Sequence, residues 1–144
     1  MISYCLPEIP KVYWINRVKY TCNSCGCDFE LLLPNGNDLV KYSEVDGIET
    51  RWLPTYGKVG YLDLMSKLIP SHGINDEITM RTARKFDATL RNYIEPSSGG
   101  NLFTLAENRR MCLKCKSKDL KLIDETTLTT PKVDWLKISC DLVR

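Results

Sequence analysis

Two short cysteine pairs constrain this chain more than any other feature: Cys22 and Cys25 in "TCNSCGCDFE", and Cys112 and Cys115 in "MCLKCKSKDL". Two residues separate the members of each pair. A turn of that length aims both sulfurs at one point, and its backbone N–H groups face the sulfurs and offset their charge. Tetrahedral zinc takes four ligands and favours thiolate sulfur at ~2.3 Å, so each pair offers half of a coordination shell. Gly26 follows the first pair and can take the left-handed backbone such a turn often demands. Lys116 stands at the matching place in the second copy. Free thiols and a disulfide or redox pair are the competing readings. A thioredoxin-like pair needs a strand-to-helix context, which neither copy has.

Phe29 and Leu120 follow the two pairs and are suited to begin a return strand. With these features the sequence resembles the zinc-ribbon superfamily, in which two Cys-x-x-Cys-Gly knuckles each sit at the tip of a β-hairpin. The likeness covers about 15–20 residues around each knuckle and none of the middle of the chain. It implies Cys22, Cys25, Cys112 and Cys115 as ligands of one structural zinc. Rubredoxin-like iron sites use the same geometry, so the sequence leaves zinc or iron open.

Eighty-six residues lie between Cys25 and Cys112, against the usual ~15–20. Loop closure scales as ~1.5RT ln n, so the longer loop costs only about 1.4 kcal/mol more. A structural zinc contributes on the order of 10–16 kcal/mol of apparent binding. The metal term wins, and distance along the chain is no objection.

The intervening sequence changes character twice. Residues 11–34 carry β-branched and aromatic residues around the first knuckle, with Phe29, Leu31 and Leu33 on one face. Residues 35–60 are punctuated by Gly, Pro and Asn, which suits loops and short strands. "YLDLMSKLIP" places Leu62, Met65, Leu68 and Ile69 at helical spacing, and Pro70 stops the run. A second helical stripe of Thr79, Ala83, Phe86, Leu90 and Tyr93 starts at an Asn75 cap or, alternatively, at Thr79, and "PSSGG" ends it. β character returns after residue 101, and "KVDWLKISCDLV" alternates imperfectly, with Trp14 and Trp135 expected in strand core. The expected fold is α+β in a single domain, residues 1–144. Residues 11–34 and 101–144 would form a zinc ribbon from N- and C-terminal hairpins, with 35–100 as a loop-rich, two-helix insertion.

The remaining thiols, Cys5, Cys27 and Cys140, lie at no metal spacing and read as small apolar fillers. His72 is the single histidine and reads as a solvated loop residue. No second histidine, Gly-rich phosphate loop or metalloprotease motif accompanies it, and four thiolates would leave a metal without an open position. These features point away from catalysis.

With 20 basic and 18 acidic residues the net charge is +2, so the chain has no global pull toward nucleic acid or anionic membrane. Locally, Arg109, Arg110, Lys114, Lys116, Lys118 and Lys121 outnumber Glu107 and Asp119 around the second knuckle. They could meet phosphates, or compensate a thiolate cluster of formal charge −2. The run 38–49 is acidic, and "RWLPTYGKVGYL" after it places Trp52, Tyr56 and Tyr61 in a Gly- and Pro-rich stretch, a composition found both at interfaces and in core seals. No apolar run reaches membrane length and no signal peptide is visible, so the expected location is the cytoplasm. The expected role is binding a protein, as an inhibitor, adaptor or toxin-immunity protein. A DNA- or RNA-binding ribbon is the alternative.

Overall fold

The computed structural model describes residues 2–69, 77–106 and 108–143. His72, Asn75, Pro70 and Glu107, each named above, lie outside the described residues. The architecture is α+β, with three small antiparallel sheets and a few helices. The chain folds as two compact units, each assembled from separate segments. The first comprises Met1–Pro10, Asn37–Ala106 and Val133–Arg144; the second comprises Lys11–Gly36 and Glu107–Lys132.

The first unit opens with a two-residue strand, β1 (Tyr4–Cys5). Within the second unit, β2 (Trp14–Cys22) and β3 (Asp28–Pro34) form a hairpin. The first unit resumes with a second hairpin, β4 (Leu39–Glu44) and β5 (Thr50–Pro54). Helix α1 (Tyr61–Leu68) follows, then α2 (Met80–Leu90), which runs into a 3-10 turn at Arg91–Tyr93. Strand β6 (Phe103–Leu105) pairs with β4, giving the order β5-β4-β6. Strand β7 (Leu120–Thr129) belongs to the second unit, and the chain ends with β8 (Ile138–Ser139) and a single helical turn, α3 (Cys140–Val143).

Apolar burial holds the first unit. Tyr42 of β4, Leu53 of β5, Leu64 and Met65 of α1, Phe86 and Leu90 of α2, and Phe103 of β6 share one core with Leu136 and Ile138. Tyr61 and Phe86 meet edge to face, with centroids 5.0 Å apart, the arrangement the ring quadrupoles favour. Thr79 caps α2, its hydroxyl accepting from the N–H of Thr82 at 3.2 Å, so the later of the two expected starts is the one adopted. Asp87 then ties α2 to β6, accepting from the Leu105 N–H at 3.0 Å and the Thr104 hydroxyl at 2.9 Å. Trp52 and Tyr61 are buried in strand β5 and helix α1, and of the three aromatics in that stretch Tyr56 is the exposed one.

Three expectations are corrected. Residues 133–144 group with the first unit rather than with the cysteine hairpins, and only Ile138–Ser139 of that run is strand, paired with β1. Trp14 is 42% exposed although its neighbours Tyr13 and Ile15 are buried, because alternation along the strand turns it to the other face. Cys5 and Cys140 are not lone fillers: they are joined in a disulfide, Cα atoms 5.5 Å apart and 135 residues apart in sequence. On the chain-entropy account a loop that long stabilises by up to about 5 kcal/mol.

Gly60 caps α1 at an ordinary φ of −81°, where alanine would normally be welcome. A Cβ there would lie 2.6 Å from the Tyr56 carbonyl oxygen and 2.9 Å from that of Pro54. Gly60→Ala is therefore expected to destabilise the protein by about 1–3 kcal/mol, read as a lower midpoint in urea unfolding. An unchanged or raised midpoint would contradict the packing described.

Candidate metal centre

The second unit is a three-stranded antiparallel sheet in the order β3-β2-β7. On one face of β2, Val18 and Tyr20 pack with Leu31 and Leu33 of β3, the spacing-of-two pattern expected of a half-buried sheet. The first knuckle closes the β2–β3 hairpin, as expected. The second does not sit on a hairpin of its own: among the described residues it has a strand only on its C-terminal side, β7. That strand pairs along the whole of β2, which is how residues ninety apart in sequence meet. Between Lys19 and Tyr20 the register shifts: Lys19 opposes Asp124 and Tyr20 opposes Leu122, leaving Ile123 as the extra residue of a β-bulge. The shift brings Leu120 opposite Cys22, so the second knuckle lies beside the first.

The knuckles share one backbone pattern. In the first, the Gly26 N–H donates to the Cys22 carbonyl at 2.8 Å, and the Cys22 N–H donates to the Cys27 carbonyl at 2.8 Å. In the second, Lys116 donates to Cys112 at 3.0 Å and Cys112 to Ser117 at 2.8 Å. Both turns need a left-handed residue at the same place: Gly26 has φ 73° and Lys116 has φ 65°. Lysine thus adopts the conformation that glycine adopts more cheaply. Three bonds lace the knuckles together: the Asn23 N–H to the Asp119 carbonyl at 2.9 Å, the Asn23 amide to the Asp119 carboxylate at 3.0 Å, and the Ser24 and Ser117 hydroxyls at 2.8 Å.

Cys22, Cys25, Cys112 and Cys115 converge, their four sulfurs all within 4.8 Å of one another. Across the knuckles, Sγ of Cys22 lies 3.5 Å from that of Cys115, and Sγ of Cys25 lies 3.6 Å from that of Cys112. A disulfide needs about 2.05 Å, whereas sulfurs at the corners of a tetrahedron with ~2.3 Å arms stand about 3.8 Å apart. The observed spacing fits ligation. Chemistry and geometry together make the quartet a set of donors able to hold one metal ion, consistent with zinc.

The turns prepare the sulfurs for this. The Cys112 thiol is pulled down to about 6, chiefly by the N–H of Cys115 and also by that of Lys114, which lie 3.5 and 3.4 Å from its sulfur. Cys22 is lowered by the equivalent N–H groups of Cys25 and Ser24. The N–H of Cys27 pulls Cys25 down too, but burial and the neighbouring thiols outweigh it and push this thiol up to about 12. The N–H of Ser117 is likewise outweighed at Cys115, which is raised by Cys22 and by burial.

Cys27 lies outside the quartet, a partly exposed thiol directed at the Asp28 carbonyl at 3.5 Å. The six cations singled out in sequence all belong to this unit and are exposed. Arg110 donates to the Tyr20 hydroxyl at 2.6 Å and lies 3.8 Å from Glu125. The lacing residues Asn23, Ser24, Ser117 and Asp119 had no signal in the sequence, because their pairing depends on the register of β7. Comparison with known protein families, curated proteins and solved structures found no match to this chain.

Two measurements test the site. The turn geometry predicts opposite effects: Gly26→Ala, whose Cβ meets nothing within 4 Å, should cost about 1 kcal/mol through φ alone, while Lys116→Gly should gain about 0.5–1 kcal/mol. Equal effects in both would refute the matched knuckles. In metal binding at neutral pH, the raised thiols of Cys25 and Cys115 make Zn2+ displace about two protons or more. Affinity then falls with acidification, most steeply below about 6, where Cys112 also takes a proton. Calorimetry in buffers of different ionisation enthalpy counts those protons; a count near zero would mean the quartet is not the ligand set.

Proposed function

We propose that this chain is a non-enzymatic zinc-ribbon protein that works by binding another protein, in the manner of an inhibitor, adaptor or toxin-immunity protein. Zinc, held by Cys22, Cys25, Cys112 and Cys115, is structural. The supporting observation is the donor set itself: four thiolates fill a tetrahedral shell and leave no position for water or substrate. The metal then serves to make a rigid platform. On that platform Leu113 is 59% exposed beside the second knuckle, with Leu122 at 52% and Ile123 at 55% on the bulged strand β7. Exposed apolar side chains on a rigid scaffold favour a protein partner.

One observation favours a second reading, a nucleic-acid-binding ribbon. The second unit holds 10 basic and 6 acidic residues, a net of +4, where the whole chain has +2. Four bound thiolates and a divalent ion would lower that surplus by two.

Salt separates the two. If protein binding is the role, association with random duplex or single-stranded nucleic acid will be weak and nearly flat with salt. A partner held by the wild-type protein will be lost by Leu113→Ser/Leu122→Ser/Ile123→Ser and retained by Lys114→Glu/Lys118→Glu/Lys121→Glu. Steep salt-dependent nucleic-acid binding that the charge reversals abolish would establish the second reading instead. Elemental analysis should find one zinc per chain.

A further inference from the structure

The seven thiols divide into a metal-ready quartet, the single Cys27, and a bonded pair in the other unit. We propose that the Cys5–Cys140 bond is a reversible latch on the N-terminal arm of the first unit, opened by an external dithiol while the rest of that unit stays folded.

The arm has little else to hold it. Strand β1 meets β8 over two residue pairs, Tyr4 with Ser139 and Cys5 with Ile138. Two further backbone bonds, Cys140 N–H to the Ser3 carbonyl at 2.8 Å and Glu8 N–H to the Lys58 carbonyl at 2.9 Å, add to its polar anchoring. A pairing that short is marginal in water without support. Most of its apolar side chains contribute little: Ile2 is 62% exposed, Leu6 51% and Ile9 41%, and only Pro7 of residues 2–10 is buried. The side β1 pairs with is different. Ile138 belongs to the main core, and that core contains no side chain from residues 2–10. The core is therefore built to persist when the arm lets go.

Access is uneven as well. Cys140 is 9% exposed, whereas Cys5 is only partly covered. A dithiol's thiolate attacks Sγ of Cys5, and the sulfur–sulfur bond breaks. Sγ of Cys140 leaves as a thiolate and takes a proton from water. The reagent's second thiol, as its thiolate, then attacks the mixed disulfide, freeing Cys5 and closing the reagent's own disulfide. Two electrons pass from reagent to protein, one disulfide is lost and one is formed. A low-molecular-weight disulfide reverses the exchange. Opening frees the backbone edge of β8 at Ile138 and Ser139, which β1 pairs with, while the Ile138 side chain stays in the core.

The test uses the full-length, zinc-loaded protein equilibrated in glutathione buffers of increasing reduced-to-oxidised ratio, in which two molecules of this monothiol supply in turn the two sulfurs of the dithiol and leave as one oxidised glutathione. Alkylation with mass spectrometry reports the state of Cys5 and Cys140, and hydrogen exchange reports the backbone. The expected result is reversible conversion with zinc retained. Amides in residues 2–10 and 137–143 should exchange at least ~10-fold faster, and those of α1 and α2 within about twofold of before. Cys5→Ser/Cys140→Ser should show the fast pattern in every buffer. Two results would overturn the latch: reduction that occurs only together with exposure of α1 and α2, or reduction that leaves the arm as protected as before. A double variant that fails to fold would count with the first.

Discussion

Four thiolate sulfurs within 4.8 Å of one another cannot all ionise without a cation among them. Like charges that close oppose one another's ionisation, and backbone N–H groups offset only part of that. Among the described residues the second unit buries the larger apolar side chains Tyr13, Ile15, Val18, Tyr20, Leu31 and Leu33, a small core of the kind that a staple commonly supports. Its backbone is arranged in advance for the ion: both turns repeat one hydrogen-bond pattern, and even Lys116 is held in a glycine-like conformation to preserve it.

The two units thus rest on different forces. In the first, a cluster centred on Leu64, Met65, Phe86 and Phe103 excludes water, and one half-buried carboxylate, Asp87, fastens helix to strand. In the second, sheet pairing brings together four sulfurs able to hold one metal ion. Partition of the cysteines follows the same division: the quartet lies in the unit without a large core, and the bonded pair ties the ends of the unit that has one.

How much of this the sequence disclosed depends on how local each signal is. The quartet was legible because a Cys-x-x-Cys turn encodes its geometry within four residues. The two helices were legible from apolar spacing, with Thr79 able to cap the second. Pairing of Cys5 with Cys140 was not legible, since nothing near either thiol indicates a partner 135 residues away. The alternation in 133–139 suggested a strand, yet those residues mostly lie along the core by isolated contacts, Leu136 N–H to the Trp52 carbonyl and the Ile94–Ile138 bridge, rather than in a ladder. Trp14 misled because aromatic character marks a strand without saying which of its residues lies beyond the packed face. The bulge at Ile123, which sets where the second knuckle falls, leaves no trace in composition at all.

Strand β2 is the centre of its sheet, but its two neighbours follow it at very different distances along the chain. During translation β3 emerges at once and folds back, whereas β7 is complete only at Thr129. At roughly 5–20 residues per second, the ribosome leaves one side of β2 unpaired for about 5–20 s. For that interval the nascent chain carries half of a coordination shell and an open strand edge, and any early ion must wait on two sulfurs for the other two to be made.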